Sequence, residues 1–390
     1  MVITGLERLL HDRDALKNLV KRKTALLVNH TSLTSRFEYS WDALRRSGCP
    51  VVRIFSPEHG LFGTEQDQVA VDPGMLQGIE VVSLYGHSAE TLKPPAGMLD
   101  DIDLIIFDIQ DIGTRYYTYV NTMILFMKAL HGTDVEFMIL DRPNPLGGRI
   151  VEGPLIGAGY ESFVGVEPVP VRHGLTAAEM GLMVKEKHNL DIHLTIVAME
   201  NWKRDMYFDH TGCAWIPPSP NMPSLQTALV YPGLCLLEGL NISEGRGTTT
   251  PFELFGAPFI DPYALRERLN SFNLDGVMFR PHYFRPTFNK YRGEECGGLC
   301  IHVTDRDSFR PFLCGVAITG AAHDLYPQSD FLQGVYEFND MHRAFDLLTG
   351  SSVIREGILA GKTMDEIGRS WAPAEKQFRE EKEEYHLYKD

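Results

Sequence analysis

The sequence predicts an α/β fold: a Rossmann-like doubly wound sheet domain followed by a smaller α/β domain. Three observations carry that reading. Short β-branched and aromatic runs alternate with helical patterns through the first half. Clusters of ionisable residues stand directly after several of those runs. The stretch Trp215-Ile-Pro-Pro-Ser-Pro-Asn-Met-Pro223 is too rich in proline for regular helix or interior strand. It marks a junction between a domain over 1–223 and one over 224–390, each long enough for its own core.

Taken in order, strands are predicted at Ala25–Asn29, Val51–Phe55, Glu80–Leu84, Leu104–Asp108, Glu136–Leu140 and His193–Met199. Helices are predicted between them at Trp41–Ser47, Tyr117–His131 and Ala177–His188. Thr176, with Glu179 three residues on, is a capping box at the start of the last of these. Such alternation implies βαβ units, a parallel sheet and right-handed crossovers. The turn after the first strand reads Asn29-His30-Thr31-Ser32 instead of Gly-x-Gly-x-x-Gly, and no Walker lysine motif occurs. No nucleotide cofactor is therefore expected. In the second half a helix is predicted near Pro262–Asn270, strands near Val277–Arg280 and Leu299–Val303, and helices from Ser308 to about Leu348. The charged tail Glu375–Asp390 reads as a surface helix or frayed end.

Composition is that of an ordinary globular protein, 44% hydrophobic and 23% charged. A net charge of −15 argues against nucleic-acid and anionic-membrane partners, which select for basic patches. Met1–Lys23 lacks the apolar stretch of a signal peptide, and no run of apolar residues is long enough to span a membrane, so a cytoplasmic location is expected. The six cysteines (49, 213, 235, 296, 300 and 314) then read as reduced thiols. Cys296 and Cys300 form the only close pair, spaced poorly for zinc without a second pair nearby. The sequence carries no signal of oligomeric state.

Four constellations hold the reactive side chains, three of them at predicted strand ends, where open α/β sheets bind their ligands. Ser56-Pro57-Glu58-His59-Gly60 follows the second strand. Phe107-Asp108-Ile109-Gln110-Asp111 continues through Ile112-Gly113-Thr114-Arg115 to Tyr116-Tyr117-Thr118-Tyr119. Asp141-Arg142-Pro143-Asn144-Pro145 follows the fifth strand, and Ser243-Glu244-Gly245-Arg246-Gly247 lies in the second half. Taken singly, each of these residues is as readily a cap, a turn or an internal ion pair; Asp108, for example, reads equally as a helix cap. Their clustering at several strand ends argues for a polar cleft. A Gly-x-Ser-x-Gly elbow and a His-Glu-x-x-His motif are both missing. Carboxylates and tyrosines beside aromatic walls suit glycosidic cleavage, where one group protonates the leaving oxygen and another serves the anomeric carbon. An arginine in a glycine-flanked turn, such as Arg246, suits a substrate carboxylate or phosphate.

These blocks, together with Ser83-Leu84-Tyr85-Gly86, Pro217-Pro218-Ser219-Pro220-Asn221-Met222-Pro223 and Tyr231-Pro232-Gly233, resemble the NamZ-type exo-β-N-acetylmuramidases. This family is glycoside hydrolase family 171, formerly a domain of unknown function. The resemblance runs in the same order from about residue 24 to about residue 305. It implies removal of a non-reducing terminal N-acetylmuramic acid from peptidoglycan fragments in cell-wall recycling. It also implies a cleft between the two domains and no metal or organic cofactor. By the same resemblance Glu58 is the principal catalytic carboxylate, most simply the general acid. His59 stands beside it, and Tyr116 or Tyr117 is the second catalytic candidate. Asn29, Asp108, Gln110, Asp111, Arg115, Asp141, Arg142, Asn144, Asn221, Glu244 and Arg246 are the substrate-binding candidates, with Arg246 or Arg142 suited to the lactyl carboxylate. The block after Gly60, Leu61-Phe62-Gly63-Thr64-Glu65-Gln66-Asp67, departs from the small-residue version of the family, so no role is assigned to Glu65 or Asp67.

Two other readings compete. A metal-dependent hydrolase or deacetylase would use Glu58, His59, Asp108 and Asp111 as ligands. A non-catalytic muramic-sugar-binding protein would use the same cleft without turnover.

Overall fold

The computed structural model describes residues 1–95 and 97–390. Seven strands form the main sheet: β1 (Thr24–Val28), β2 (Val51–Ser56), β3 (Gly74–Leu76), β4 (Ile79–Ser83), β5 (Leu104–Asp108), β6 (Glu136–Leu140) and β7 (His193–Val197). Their order is β3-β4-β2-β1-β5-β6-β7, parallel throughout except for β3 against β4. Leaving aside the β3 edge, this is the strand order of the doubly wound fold, reversing between β1 and β5.

Helices α1 (Gly5–His11), α2 (Arg13–Leu19), α3 (Ser40–Arg46), α4 (Thr118–Ala129) and α5 (Ala177–Lys187) flank this sheet. Alternation along the strands divides the apolar side chains between its two faces. Leu26 and Val28 pack with Leu6, Trp41 and Leu44 on one side. Ala25 and Leu27 pack with Phe126, Met127 and Met183 on the other. Burial of each large side chain contributes roughly 1.5–3 kcal/mol.

The second half holds α6 (Leu225–Leu234), β8 (Leu254–Ala257), α7 (Pro262–Asn270), β9 (Val277–Phe284), β10 (Cys296–Val303), α8 (Pro311–Leu325), α9 (Ala344–Thr349), α10 (Val353–Leu359), α11 (Met364–Arg369) and α12 (Ala372–Glu381). Its three strands form an antiparallel sheet, β8-β10-β9. Helices α6 and α8 cross at Gly233 and Gly315, where a methyl group on either glycine would strike the backbone of the other helix.

Three expectations change. The two halves do not have separate cores, because one apolar cluster runs from Phe55 and Phe107 through Phe312 and Phe345 to Trp371. The helices expected up to Leu348 are interrupted, since residues 326–343 form an irregular segment that reaches back to the main sheet. The charged tail begins as the expected surface helix, α12, but its end is docked rather than frayed. Tyr388 donates its hydroxyl hydrogen bond to Asp141 at 2.5 Å, and the Leu387 amide donates to Glu179 at 2.9 Å. Phe378, Tyr385 and Tyr388, buried within a charged run, account for the docking. Among the described residues no helix is long and apolar enough to cross a membrane.

Candidate active site

Strand β2 ends at Ser56, and Pro57 turns the chain so that Glu58 leaves the carboxyl edge of the sheet. His59 and Gly60 follow in left-handed backbone, at φ +67° and +78°. That conformation is uncommon for histidine, and the His59 ring is fixed by a 2.9 Å hydrogen bond between Nδ1 and the Glu65 carbonyl. Both Glu58 oxygens are engaged. Oε2 accepts from the Thr118 hydroxyl at 2.7 Å and Oε1 from the Gln68 amide at 3.3 Å. Glu58 and His59 are both buried, in the wall of a small cleft.

The tyrosines at the start of α4 separate into two kinds. Tyr116 donates to the Pro232 carbonyl, and Tyr119 donates to the Pro218 carbonyl at 2.5 Å. The Tyr117 hydroxyl is buried in the cleft wall with no hydrogen-bond partner among the described residues, although Ser219 and Tyr119 lie close enough to favour its ionised form. Burial raises its pKa far above the usual phenol range, so it stays neutral and can donate.

The opposite wall comes from the second half: Tyr231, Glu238, Arg246, Phe252, Tyr336 and Glu337. Arg246 stacks over Phe252, 5.0 Å from the ring centroid. It pairs with Asp67 at 2.9 Å, Glu238 at 2.6 Å and Glu244 at 3.3 Å. Burial pushes Glu244 up, but Lys290 at 3.0 Å and Arg246 outweigh it and hold that carboxyl below its ordinary range. Tyr336 donates to Glu238 at 2.6 Å.

The sequence-predicted residues part company here. Glu58, His59, Tyr116, Tyr117, Asn221 and Arg246 line one cleft. Asn221 donates to Gln66 at 2.7 Å, and Glu244 supports Arg246 from behind, facing a neighbouring cavity. The others are built into the scaffold. Arg142 closes a two-point ion pair on Asp108, at 2.5 and 3.0 Å, and with Gln110 lines a separate cavity near the β1–β5 reversal. Arg115 is spent on the carbonyls of Pro154, Val169 and Leu348. Asp141 accepts from the Ala178 amide at 3.0 Å, and Asn144 ties Leu146 to Leu175. Asn29 caps the Thr31 turn, and Asp111 accepts from the Gly113 amide at 2.6 Å.

Neither Arg142 nor Arg246 therefore presents an open fork to a substrate carboxylate. The metal reading loses its geometry in the same way, because Asp108 belongs to Arg142. Among the described residues no three His, Cys, Asp or Glu side chains gather as ligands.

Sequence reasoning missed Asp67, Glu238, Tyr336 and Glu337. Glu238 stands five residues after the Tyr231-Pro232-Gly233 block, a signal of a kind. Glu337 lies in irregular chain with none. It is buried, and Tyr85 donates to its Oε2 at 2.8 Å. Burial, and next the charge of Glu58, raise its pKa well above the ordinary carboxylate range.

Comparison with known proteins agrees with this architecture. The family description "Exo-beta-N-acetylmuramidase NamZ, N-terminal" matches residues 24–226, and its C-terminal counterpart matches residues 229–388. The chain is 41% identical over 390 residues to "Peptidoglycan beta-N-acetylmuramidase NamZ" of Bacillus subtilis (strain 168), covering 99% of this chain and 91% of that protein. Crystal structures of two DUF1343 family proteins from Bacteroides fragilis NCTC 9343 share the fold. One has a TM-score of 0.88 at 33% identity, covering 99% of each chain. The other has a TM-score of 0.78 at 30% identity, covering 100% of this chain and 99% of that one. With both halves matched, the chain belongs to the exo-β-N-acetylmuramidase NamZ family of glycoside hydrolases.

Proposed function

We propose that this enzyme hydrolyses the β-1,4 bond of a non-reducing terminal N-acetylmuramic acid in peptidoglycan fragments, with Glu58 as the catalytic carboxylate and Tyr117 as its tyrosine partner. The observation that carries the reading is the pairing of an anchored carboxylate with an unpartnered buried hydroxyl in one cleft. Thr118 and Gln68 fix Glu58, so little reorganisation is needed as charge develops at the anomeric carbon. Tyr117, held neutral, donates to a substrate oxygen that gains charge in the transition state. The similar Bacillus subtilis protein, named for the same bond class, supports the substrate assignment.

Six free cysteines, four of them buried, fit a reducing compartment. We place the enzyme in the cytoplasm, acting on imported wall fragments in recycling. The test is incubation with N-acetylmuramyl-β-1,4-N-acetylglucosamine followed by mass spectrometry. The two free monosaccharides are expected, and an intact disaccharide overturns the reading.

A further inference from the structure

Of the acidic groups in the cleft, two stand apart. Asp67 and Glu238 pair with Arg246, which leaves their charge compensated. Glu58 and Glu337 line the same cleft, and among the described residues neither forms an ion pair. They arrive from opposite sides, Glu58 from the end of β2 and Glu337 from the irregular segment between α8 and α9. Two carboxyl groups facing one small cavity are what glycosidic hydrolysis requires.

The placement of Glu337 is built. Strand β4 lies beside β2, with Ser83 opposite Ser56, so Tyr85 emerges next to the Glu58 turn. The Tyr85 hydroxyl holds Glu337 Oε2 at 2.8 Å, and Oε1 has no hydrogen-bond partner among the described residues. Phe338 packs on the Tyr85 ring at 5.2 Å between centroids, and Phe163 packs on it at 5.7 Å. Glu337 and Phe338 both adopt left-handed backbone, φ +48° and +63°. A pair of non-glycine residues persists there only where surrounding contacts over-determine it.

We propose that Glu337 is the second reacting carboxyl group of the cleft and gives its proton to the leaving oxygen of the glycosidic bond, while Glu58 serves the anomeric carbon. This inference rests on the muramidase reading and assigns the acid role within it. In the step, the O–H bond of Glu337 breaks and its electron pair stays on the carboxylate. The proton bonds to the glycosidic oxygen. The bond from that oxygen to C1 breaks, with its pair leaving on the aglycone alcohol. A water oxygen bonds to C1, and the proton it sheds passes to Glu58. Proton return through solvent restores both groups. The acid is available near neutral pH because burial and the neighbouring Glu58, Glu238 and Asp67 charges all disfavour the ionised form of Glu337, against the single Tyr85 hydrogen bond. Arg246 already neutralises much of the Asp67 and Glu238 charge, and His59 lies on the Glu58 side.

The test compares leaving groups in wild-type, Glu337→Gln and Glu58→Gln enzymes. The substrates are the N-acetylmuramyl disaccharide and a 2,4-dinitrophenyl N-acetylmuramide, whose phenolate leaves without a proton. Glu337→Gln is expected to lose about 10²–10⁴-fold in kcat on the disaccharide but no more than about tenfold on the aryl substrate. Glu58→Gln is expected to lose heavily on both. Tyr85→Phe, outside the reacting groups, removes a donor to the ionised form and is expected to move the basic limb of the pH profile upward. Equal losses of Glu337→Gln on both substrates, an unimpaired disaccharide rate, or an unmoved limb in Tyr85→Phe would overturn the assignment while leaving the muramidase reading intact. A wild-type enzyme inactive on both substrates would sink that reading and this inference with it.

Discussion

The hydroxyl of Thr118 and the carboxylate of Glu58 meet at 2.7 Å across sixty residues of chain. One stands at the first turn of α4 and the other just past β2, so the bond ties two sheet elements to the reacting group. Thr118→Val is expected to lower kcat/KM by about tenfold, the effect of one hydrogen bond to a charged group, while the melting temperature holds within a few degrees. Steady-state kinetics on a chromogenic N-acetylmuramide would check it. Unchanged kinetics would show that Thr118 is only scaffold.

Tyr116 and Tyr117 provide an internal control, since each carries one phenol in the same wall. Tyr117→Phe removes an unpartnered buried hydroxyl, so stability should hold or rise by about 1 kcal/mol while kcat falls at least tenfold. Tyr116→Phe leaves the Pro232 carbonyl without its donor and should cost about 1–2 kcal/mol of stability with kcat nearly intact. Parallel thermal melts and rates would separate them. A reversed pattern would move the partner role to Tyr116.

Arg246→Ala leaves Asp67, Glu238 and Glu244 facing one another without their shared cation. Breaking a buried ion pair from one side costs about 3–5 kcal/mol. Urea unfolding is therefore expected to show a large loss of stability. A pure rise in KM with unchanged stability would instead revive Arg246 as a substrate anchor.

Asp141 gives a pH signature. Burial pushes its carboxyl up from the ordinary 3.8 to about 7, although Tyr388, Thr176 and the Ala178 amide pull the other way. The folded state thus holds a proton that the unfolded state releases near pH 4. The stabilisation from that proton is complete below about pH 4 and is lost as pH rises towards 7, at roughly 4 kcal/mol in total. Asp141→Asn should flatten that part of the stability–pH curve. Superimposable wild-type and Asp141→Asn slopes between pH 4 and 7 would refute the attribution.

The sequence made the sheet legible because its strands are compact apolar runs, Leu104–Asp108 above all, buried on both faces. It also located Glu58, because a charged pair after such a run and before glycine is conspicuous. What it overstated was the number of polar strand-end residues that reach the cleft. Asp141, Asn144 and Arg115 carry the same side chains for a different reason: strand ends and helix starts leave backbone groups that must be bonded, while Asp108 is taken up by Arg142. What it missed altogether was Glu337. That residue sits in chain without periodicity, and its position depends on a contact with Tyr85, 252 residues earlier, that no local pattern encodes.

The bond between Tyr388 and Asp141 has a consequence for the newborn chain. The two residues are 247 positions apart, so a ribosome exposes Asp141 long before it makes Tyr388. At about 5–20 residues per second the interval is on the order of tens of seconds. Throughout it the edge of the sheet beside α5 stays wet, with the Asp141 and Glu179 carboxylates lacking their last donors. Only once Leu387 and Tyr388 have left the ribosome can their donors reach the two carboxylates and close that edge.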